Sequence, residues 1–357
     1  VLTHGGDERA ARKTKNEPIS LFLFSQSLLI TKAVGRTYMK EVSMDKEQRK
    51  FYERLEGKGV SRRDFMRYCT FLTATVGLSA AYVPKVAEVF AAPTQRPPVI
   101  WLHFAECTGC SEAVLRSTYP YIDDLVLEVL SLEYHETVMA AAGQQAEDQL
   151  HAAVKKYEGK YICVVEGAIA TKFNGGYGKI AGRTFLEVGK EICPKAAAVI
   201  CLGACSSFGG IQAAKPNPGG YKGVGEALGI KTVNIPGCPP NPVNFVGTVV
   251  NYLLLGKLPV LDNLGRPLFA YGKTIHDQCP RRSHFENEEF VTEFGSPEAA
   301  MGYCLYKMGC RGPETFNNCP IAKFNDGTSF PIEAGHPCIG CSEPDFWDKM
   351  TPFFKEM

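Results

Sequence analysis

Pro98-Val99-Ile100-Trp101-Leu102-His103-Phe104-Ala105-Glu106-Cys107-Thr108-Gly109-Cys110 is a short, nearly continuous apolar run that breaks into a tight loop carrying two cysteines. A run too short for a helix and rich in β-branched and aromatic residues reads as a strand buried on both faces. The same reading fits 125–132, 161–166, 197–203 and 231–235. Between these runs, 137–157, 182–192 and 244–255 have the length and apolar spacing of helices. Strands alternating with helices predict an α/β fold, a doubly wound parallel sheet covered by helices, ending near Ala270. In such sheets the working crevice lies beyond the carboxyl ends of the strands. Cys107 and Cys110 follow the first strand there, Cys205 the fourth and Cys238 the fifth, so four thiols are expected at one edge.

Four cysteines match the ligand set of a [4Fe–4S] cluster, and Gly109 inside Cys107-x-x-Cys110 permits close backbone approach. A structural zinc site is the alternative from spacing alone. After Ala270 the composition shifts to cysteine, proline, glycine and asparagine without a long periodic segment, so 271–357 reads as a small, mostly irregular domain organised by something other than an apolar core. His276-x-x-Cys279 with Cys304 and Cys310 gives a second set of four, in which imidazole for thiolate removes one negative charge and raises an iron–sulfur potential. Cys319, Cys338 and Cys341 form a third set. Three thiolates suit a [3Fe–4S] cluster, whereas zinc would need a fourth ligand such as His336. Cys163, Cys193 and Cys201 read as packing residues.

At 357 residues, 45% hydrophobic and 22% charged, the chain is long enough for two domains and is neither disordered nor collagen-like. Its 14 cysteines are too many for an ordinary cytosolic enzyme, in a chain too long to need disulfides in place of a core. The net charge of +1 hides an asymmetry: residues 1–92 hold 16 Lys+Arg and 10 Asp+Glu, leaving 23 and 28 for the rest. An acidic body without basic–aromatic patches argues against nucleic acid.

Ser61-Arg62-Arg63-Asp64-Phe65-Met66-Arg67, followed by the apolar stretch 71–83 and by Ala91-Ala92, reads as a twin-arginine signal peptide rather than a membrane helix. Met44 is a candidate start, with 1–43 as upstream sequence, and 21–30 is a further short apolar stretch. No later segment is long and apolar enough to span a membrane, so the processed chain is expected to be a soluble periplasmic protein, exported already folded with its cofactors in place. The stretch Asn174-Gly175-Gly176-Tyr177-Gly178-Lys179-Ile180 lacks the pattern of a phosphate loop. Glu106, beside the first cysteine, reads as a solvated or hydrogen-bonded carboxylate with proton relay as the alternative. His135 and Glu136 read as capping residues of a helix start.

Ala105-Glu106-Cys107-Thr108-Gly109-Cys110-Ser111-Glu112, Gln212-Ala213-Ala214-Lys215-Pro216-Asn217-Pro218, Gly237-Cys238-Pro239-Pro240-Asn241-Pro242 and the run from Gly335-His336-Pro337-Cys338 to Asp345-Phe346-Trp347 together resemble the small subunit of periplasmic NiFe hydrogenases, over about 98–354. The resemblance implies a flavodoxin-like domain over 93–270 whose Cys107, Cys110, Cys205 and Cys238 bind a proximal [4Fe–4S] cluster. It assigns His276, Cys279, Cys304 and Cys310 to a distal [4Fe–4S] cluster and Cys319, Cys338 and Cys341 to a medial [3Fe–4S] cluster, within 271–357. Pro331 is a candidate for the place of a fourth medial ligand in [4Fe–4S] relatives. The catalytic Ni–Fe centre belongs to a separate large subunit, and this chain would carry electrons to an acceptor docking near His276.

Oxygen-tolerant relatives carry extra cysteines at positions matching Gly109 and Gly210, which implies the standard oxygen-sensitive type here. Absence of an anchor helix after the last motif implies a soluble heterodimer serving a periplasmic multihaem cytochrome c. The competing readings are a stand-alone exported iron–sulfur carrier, the cluster-binding component of a respiratory quinone reductase, and a zinc-stabilised secreted protein.

Overall fold

A computed structural model describes residues 46–91, 96–117, 129–325 and 327–356. The readings of 1–43, of Met44, of Ala92 and of half of the run 125–132 lie outside the described residues. The chain from Glu47 onward belongs to one unit.

Three helices come first, α1 (Lys46–Gly57), α2 (Arg62–Thr75) and α3 (Val83–Ala91). The α/β region then runs β1 (Pro98–His103), α4 (Gly109–Leu115), β2 (Ser131–His135), α5 (Gln144–Lys156), β3 (Ile162–Glu166), α6 (Phe185–Ile192), β4 (Ala198–Leu202), α7 (Ala204–Phe208), α8 (Val224–Leu228), β5 (Val233–Ile235) and α9 (Pro242–Leu255). The five strands form one parallel sheet in the order β2-β1-β3-β4-β5, the flavodoxin-type doubly wound order expected. Period-two alternation sends Ile100, Leu102, Cys163, Val165, Val199 and Cys201 to the face packed with α5 and α6. Val99, Trp101, Ile162, Val164, Ile200 and Leu202 share the other cluster with α9. Cys163, Cys193 and Cys201 are buried in the first of these layers, as their apolar settings implied.

Three element boundaries differ from the sequence reading. Within the described part of the strand expected over 125–132, strand begins only at Ser131 and runs on to His135, and only the last two strand positions are buried. β2 lies at the sheet edge and tolerates polar residues, so the more apolar run before it misled a reading based on buried strands. His135 and Glu136 accordingly sit at the end of a strand and not at a helix start. The helix expected from 137 begins at Gln144, because Gly143 enters it with φ 58° and the preceding residues form turns. The helix expected from 182 begins at Phe185, where Thr184 and Glu187 form a reciprocal capping box.

Beyond α9 the chain has only short helical turns and isolated bridges. Its small core combines Ile275, Val291, Leu305, Met308, Phe330 and Ile332 with three cysteines, Cys310, Cys319 and Cys338. The thiols thus occupy the centre of this region, where a larger protein would place more aliphatic side chains.

Candidate metal centres

Carboxyl-end loops of three strands bring Cys107, Cys110, Cys205 and Cys238 close enough to repel one another's ionisation. Cys107 and Cys110 flank the start of α4, Cys205 lies in α7 directly after β4, and Cys238 precedes Asn241, whose side chain caps α9. Two glycines make room. A Cβ on Gly203 would stand 2.4 Å from Cys110 Sγ, and one on Gly210 would stand 2.5 Å from Cys205 Sγ. Both have positive φ, so a side chain there would meet strain as well as the sulfur. Burial raises the Cys110 and Cys238 thiols and pushes Cys205 up to about 11.

His276, Cys279, Cys304 and Cys310 line one small, partly open cavity with Arg281, Tyr306 and Ile332. The His276 ring stands edge-on to Phe285 at 4.7 Å, and burial followed by Arg282 lowers its pKa, which favours the neutral imidazole that ligates metals. Cys319, Cys338 and Cys341 interact in the same way as the first group, and burial dominates the raised pKa of each. His336 is exposed and packs against Phe294 and Phe354. Pro331 is exposed between buried Phe330 and Ile332.

The three groups are contiguous. Cys238, in the first group, lies near enough to Cys341 of the third to add charge repulsion to the burial that raises its pKa, while Cys338 N–H of the third donates to Cys310 Sγ of the second at 3.4 Å. The third group therefore lies between the other two.

Behind the first group is a polar network that the sequence reading missed. Ser111, next to Cys110, donates its hydroxyl to Glu166 Oε1 at 2.5 Å, and Trp101 Nε1–H donates to the same oxygen at 3.0 Å. His103 Nε2 lies 3.2 Å from Ser111 Oγ, and its Nδ1 faces Glu136 Oε1 at 3.6 Å. Burial pushes Glu166 and Glu136 up to about 7 and lowers His103 to about 3 and His135 to about 4, so both imidazoles are neutral. Glu106, also raised by burial, accepts from Thr108 Oγ1 at 3.2 Å. A glutamate closing an otherwise apolar strand at its carboxyl end was the available signal for Glu166.

Fold, thiol groups and their order define an electron-transfer subunit, and comparison with known proteins identifies its family. Residues 271–354 match the family model for the C-terminal region of the NiFe/NiFeSe hydrogenase small subunit, and 107–252 match that for the 20 Kd subunit of NADH ubiquinone oxidoreductase. The chain belongs to the NiFe hydrogenase small-subunit family. It is 55% identical over 306 residues to the periplasmic [NiFe] hydrogenase small subunit 1 of Nitratidesulfovibrio vulgaris, covering 85% of this chain and 96% of that one. The periplasmic [NiFe] hydrogenase small subunit of Solidesulfovibrio fructosivorans is likewise 55% identical, covering 85% and 96%. Among solved structures, a reduced, active Ni-Fe-Se hydrogenase from Desulfomicrobium baculatum superposes with TM-score 0.69 at 37% identity, over 74% of this chain and 100% of that chain. The catalytic metal site of such an enzyme is on its large subunit. No helix among the described residues is long and apolar enough to cross a membrane.

Proposed function

We propose that this chain carries electrons between the large subunit of a periplasmic NiFe hydrogenase and a multihaem cytochrome c, in a heterodimer running H2 = 2 H+ + 2 e−. The observation that carries this reading is the unbroken order of the thiol groups, with Cys341 against Cys238 and Cys338 against Cys310. Cys107, Cys110, Cys205 and Cys238 would hold a proximal [4Fe–4S] cluster, Cys319, Cys338 and Cys341 a medial [3Fe–4S] cluster, and His276, Cys279, Cys304 and Cys310 a distal [4Fe–4S] cluster. Such clusters supply one-electron carriers whose potentials respond to ligand charge and burial.

The donor chemistry fits. Buried thiols crowded together resist ionisation unless a cationic centre lies among them, and an iron cluster provides one. A single zinc ion fits less well. Zn–S bonds of about 2.3 Å would draw four thiols to about 3.8 Å from one another, and among the described residues no group of three or more ligating side chains converges in that way. The neutral His276 imidazole, half-buried beside exposed Asp277 and Arg282, is the polar end of the series, where an acceptor would dock. Residues 1–92 are read as an N-terminal extension and the twin-arginine leader of a folded export substrate, with 93–270 and 271–357 as the two domains of the processed chain. The two family matches, which end at 252 and begin at 271, support that division. Glycine at 109 and 210 supports the oxygen-sensitive type.

Metal and sulfide analysis of the anaerobically isolated complex tests the reading, coupled to hydrogen-dependent dye reduction. About eleven iron atoms are expected on this chain, with nickel and one more iron on a co-purifying larger chain. Iron and sulfide without nickel, partner or hydrogen activity would establish a stand-alone carrier instead.

A further inference from the structure

α9, Pro242–Leu255, is 14 residues long and carries no charge. Every residue from Asn244 to Asn251 is buried, including the polar Asn244, Thr248 and Asn251. Its Phe245, Val246, Val249 and Val250 share one cluster with Ile200 and Leu202 of the sheet. The same cluster continues into the N-terminal helices through Phe65, Leu72, Val86 and Phe90, each at most 2% exposed. α2 and α3 lie directly against α9. The fit is shaped: a Cβ on Gly247 would stand 2.9 Å from Val76 Cγ1 and 3.3 Å from Phe269 Cζ, so the missing side chain forms the notch in which Val76 sits.

We infer that segment 46–91 is a removable cover over the α9 face, and that the hydrogenase large subunit occupies the same face and displaces the cover when it docks. The inference rests on the reading that 1–92 ends in an export leader. Processing at the end of that leader strips α9 of its covering helices and uncovers an apolar patch of a kind that monomeric proteins rarely expose. Permanent subunit interfaces are large and apolar, like a core cut in two. The family supplies such a partner, and the charge-free α9 begins four residues after Cys238, so the face is continuous with the group that must approach the partner's metal centre.

The arrangement couples assembly to address. In the undocked chain the arginine pair opens a helix packed on the body, with Arg62 over the Tyr52 ring at 5.0 Å and Ser61 capping the Asp64 N–H. Partner docking would free that helix. Because the two occupants exclude each other, linkage is reciprocal: the factor by which the cover weakens partner binding equals the factor by which the partner loosens the cover.

Hydrogen exchange on the unprocessed, cluster-loaded chain tests this, alone and with the large subunit, together with the affinity of the large subunit for unprocessed and processed chains. Slow exchange is expected over 65–76 and 83–91 in the lone chain. It should accelerate by about tenfold or more when the partner binds, with the processed chain binding tighter by a similar factor. Val76→Asp, which leaves the processed chain unaltered, should loosen the segment without the partner and bring affinity towards the processed value. Fast exchange in the lone chain would overturn the inference. So would a segment that stays protected in the heterodimer, or self-association of the processed chain that the large subunit does not reverse. The leader reading fails separately: an Arg62→Lys, Arg63→Lys chain still exported normally would refute it whatever the exchange result.

Discussion

Glu166 has no exposed surface, and the imidazole facing it, His103 at 3.8 Å, is neutral, yet it anchors Ser111, the residue next to Cys110. Burial raises its carboxyl from 4.5 to about 7, so between those values the folded chain holds a proton that the unfolded chain has released. Stability is therefore highest below the unfolded value and falls as pH rises through about 7. A shift of this size corresponds to about 3 kcal/mol. Glu166→Gln keeps the shape and the acceptor oxygen, so the variant should lose less stability between pH 5 and pH 8 than the parent. Glu136, also near 7, preserves part of the slope. Denaturation midpoints at the two pH values check this, and identical slopes would refute it. Glycine acts at the same scale. Gly203→Ala drives a Cβ to 2.4 Å from Cys110 Sγ, and the expected result is loss of about four irons with the medial and distal groups still loaded. The sequence marks Glu166 only as a glutamate ending an apolar strand and Gly203 not at all, because the two gain their meaning from neighbours 55 and 93 positions away.

Secondary-structure elements were legible where burial is two-sided. β1, β3, β4 and β5 are apolar enough to be read directly, whereas the edge strand β2 was displaced by the more apolar run before it. Helix ends depended on local signals: Asn241-Pro242 at the start of α9 and Thr184-x-x-Glu187 at α6 are both visible in sequence, and only their use as caps needed the structure. What joins the two regions of the chain was not legible. Arg266, 4% exposed, donates to Asp262 Oδ2 and to Glu343 Oε1, each at 2.8 Å, and to the carbonyl of Ser342 beside Cys341. Arg266→Met would leave two partly buried carboxylates without their cation, at an expected cost of about 1–3 kcal/mol. It should also loosen the medial group before the proximal one. Iron content after brief exposure to a chelator would show that order, and adding Glu343→Gln should recover part of the stability.

Across the whole molecule, sequence position and resemblance suggest how to group the cysteines, but the contacts between the groups were not legible. Cys341 and Cys238 are 103 positions apart and Cys338 and Cys310 are 28 apart, and nothing in the spacing says that each pair meets. Those meetings make the third group the middle of the series. Cys319 belongs to that group alone and is buried in the small core of the C-terminal region, away from the sheet. Cys319→Ala should lower iron from about eleven to about eight atoms per chain, abolish the paramagnetic signal of the oxidised medial cluster, and leave the fold of 98–270 intact. Splitting of hydrogen at the partner's metal centre does not require an electron to leave the enzyme when it is read as isotope exchange between H2 and deuterated water. On the proposed route, delivery to a protein acceptor at His276 requires the middle group. The variant heterodimer should therefore retain isotope exchange near the parent rate while hydrogen-dependent reduction of the acceptor falls by about tenfold or more, the loss expected for a barrier raised by at least 1.4 kcal/mol. A parallel loss of both activities would mean that Cys319 holds the heterodimer together instead. Undiminished acceptor reduction would place the electron's route outside these three groups.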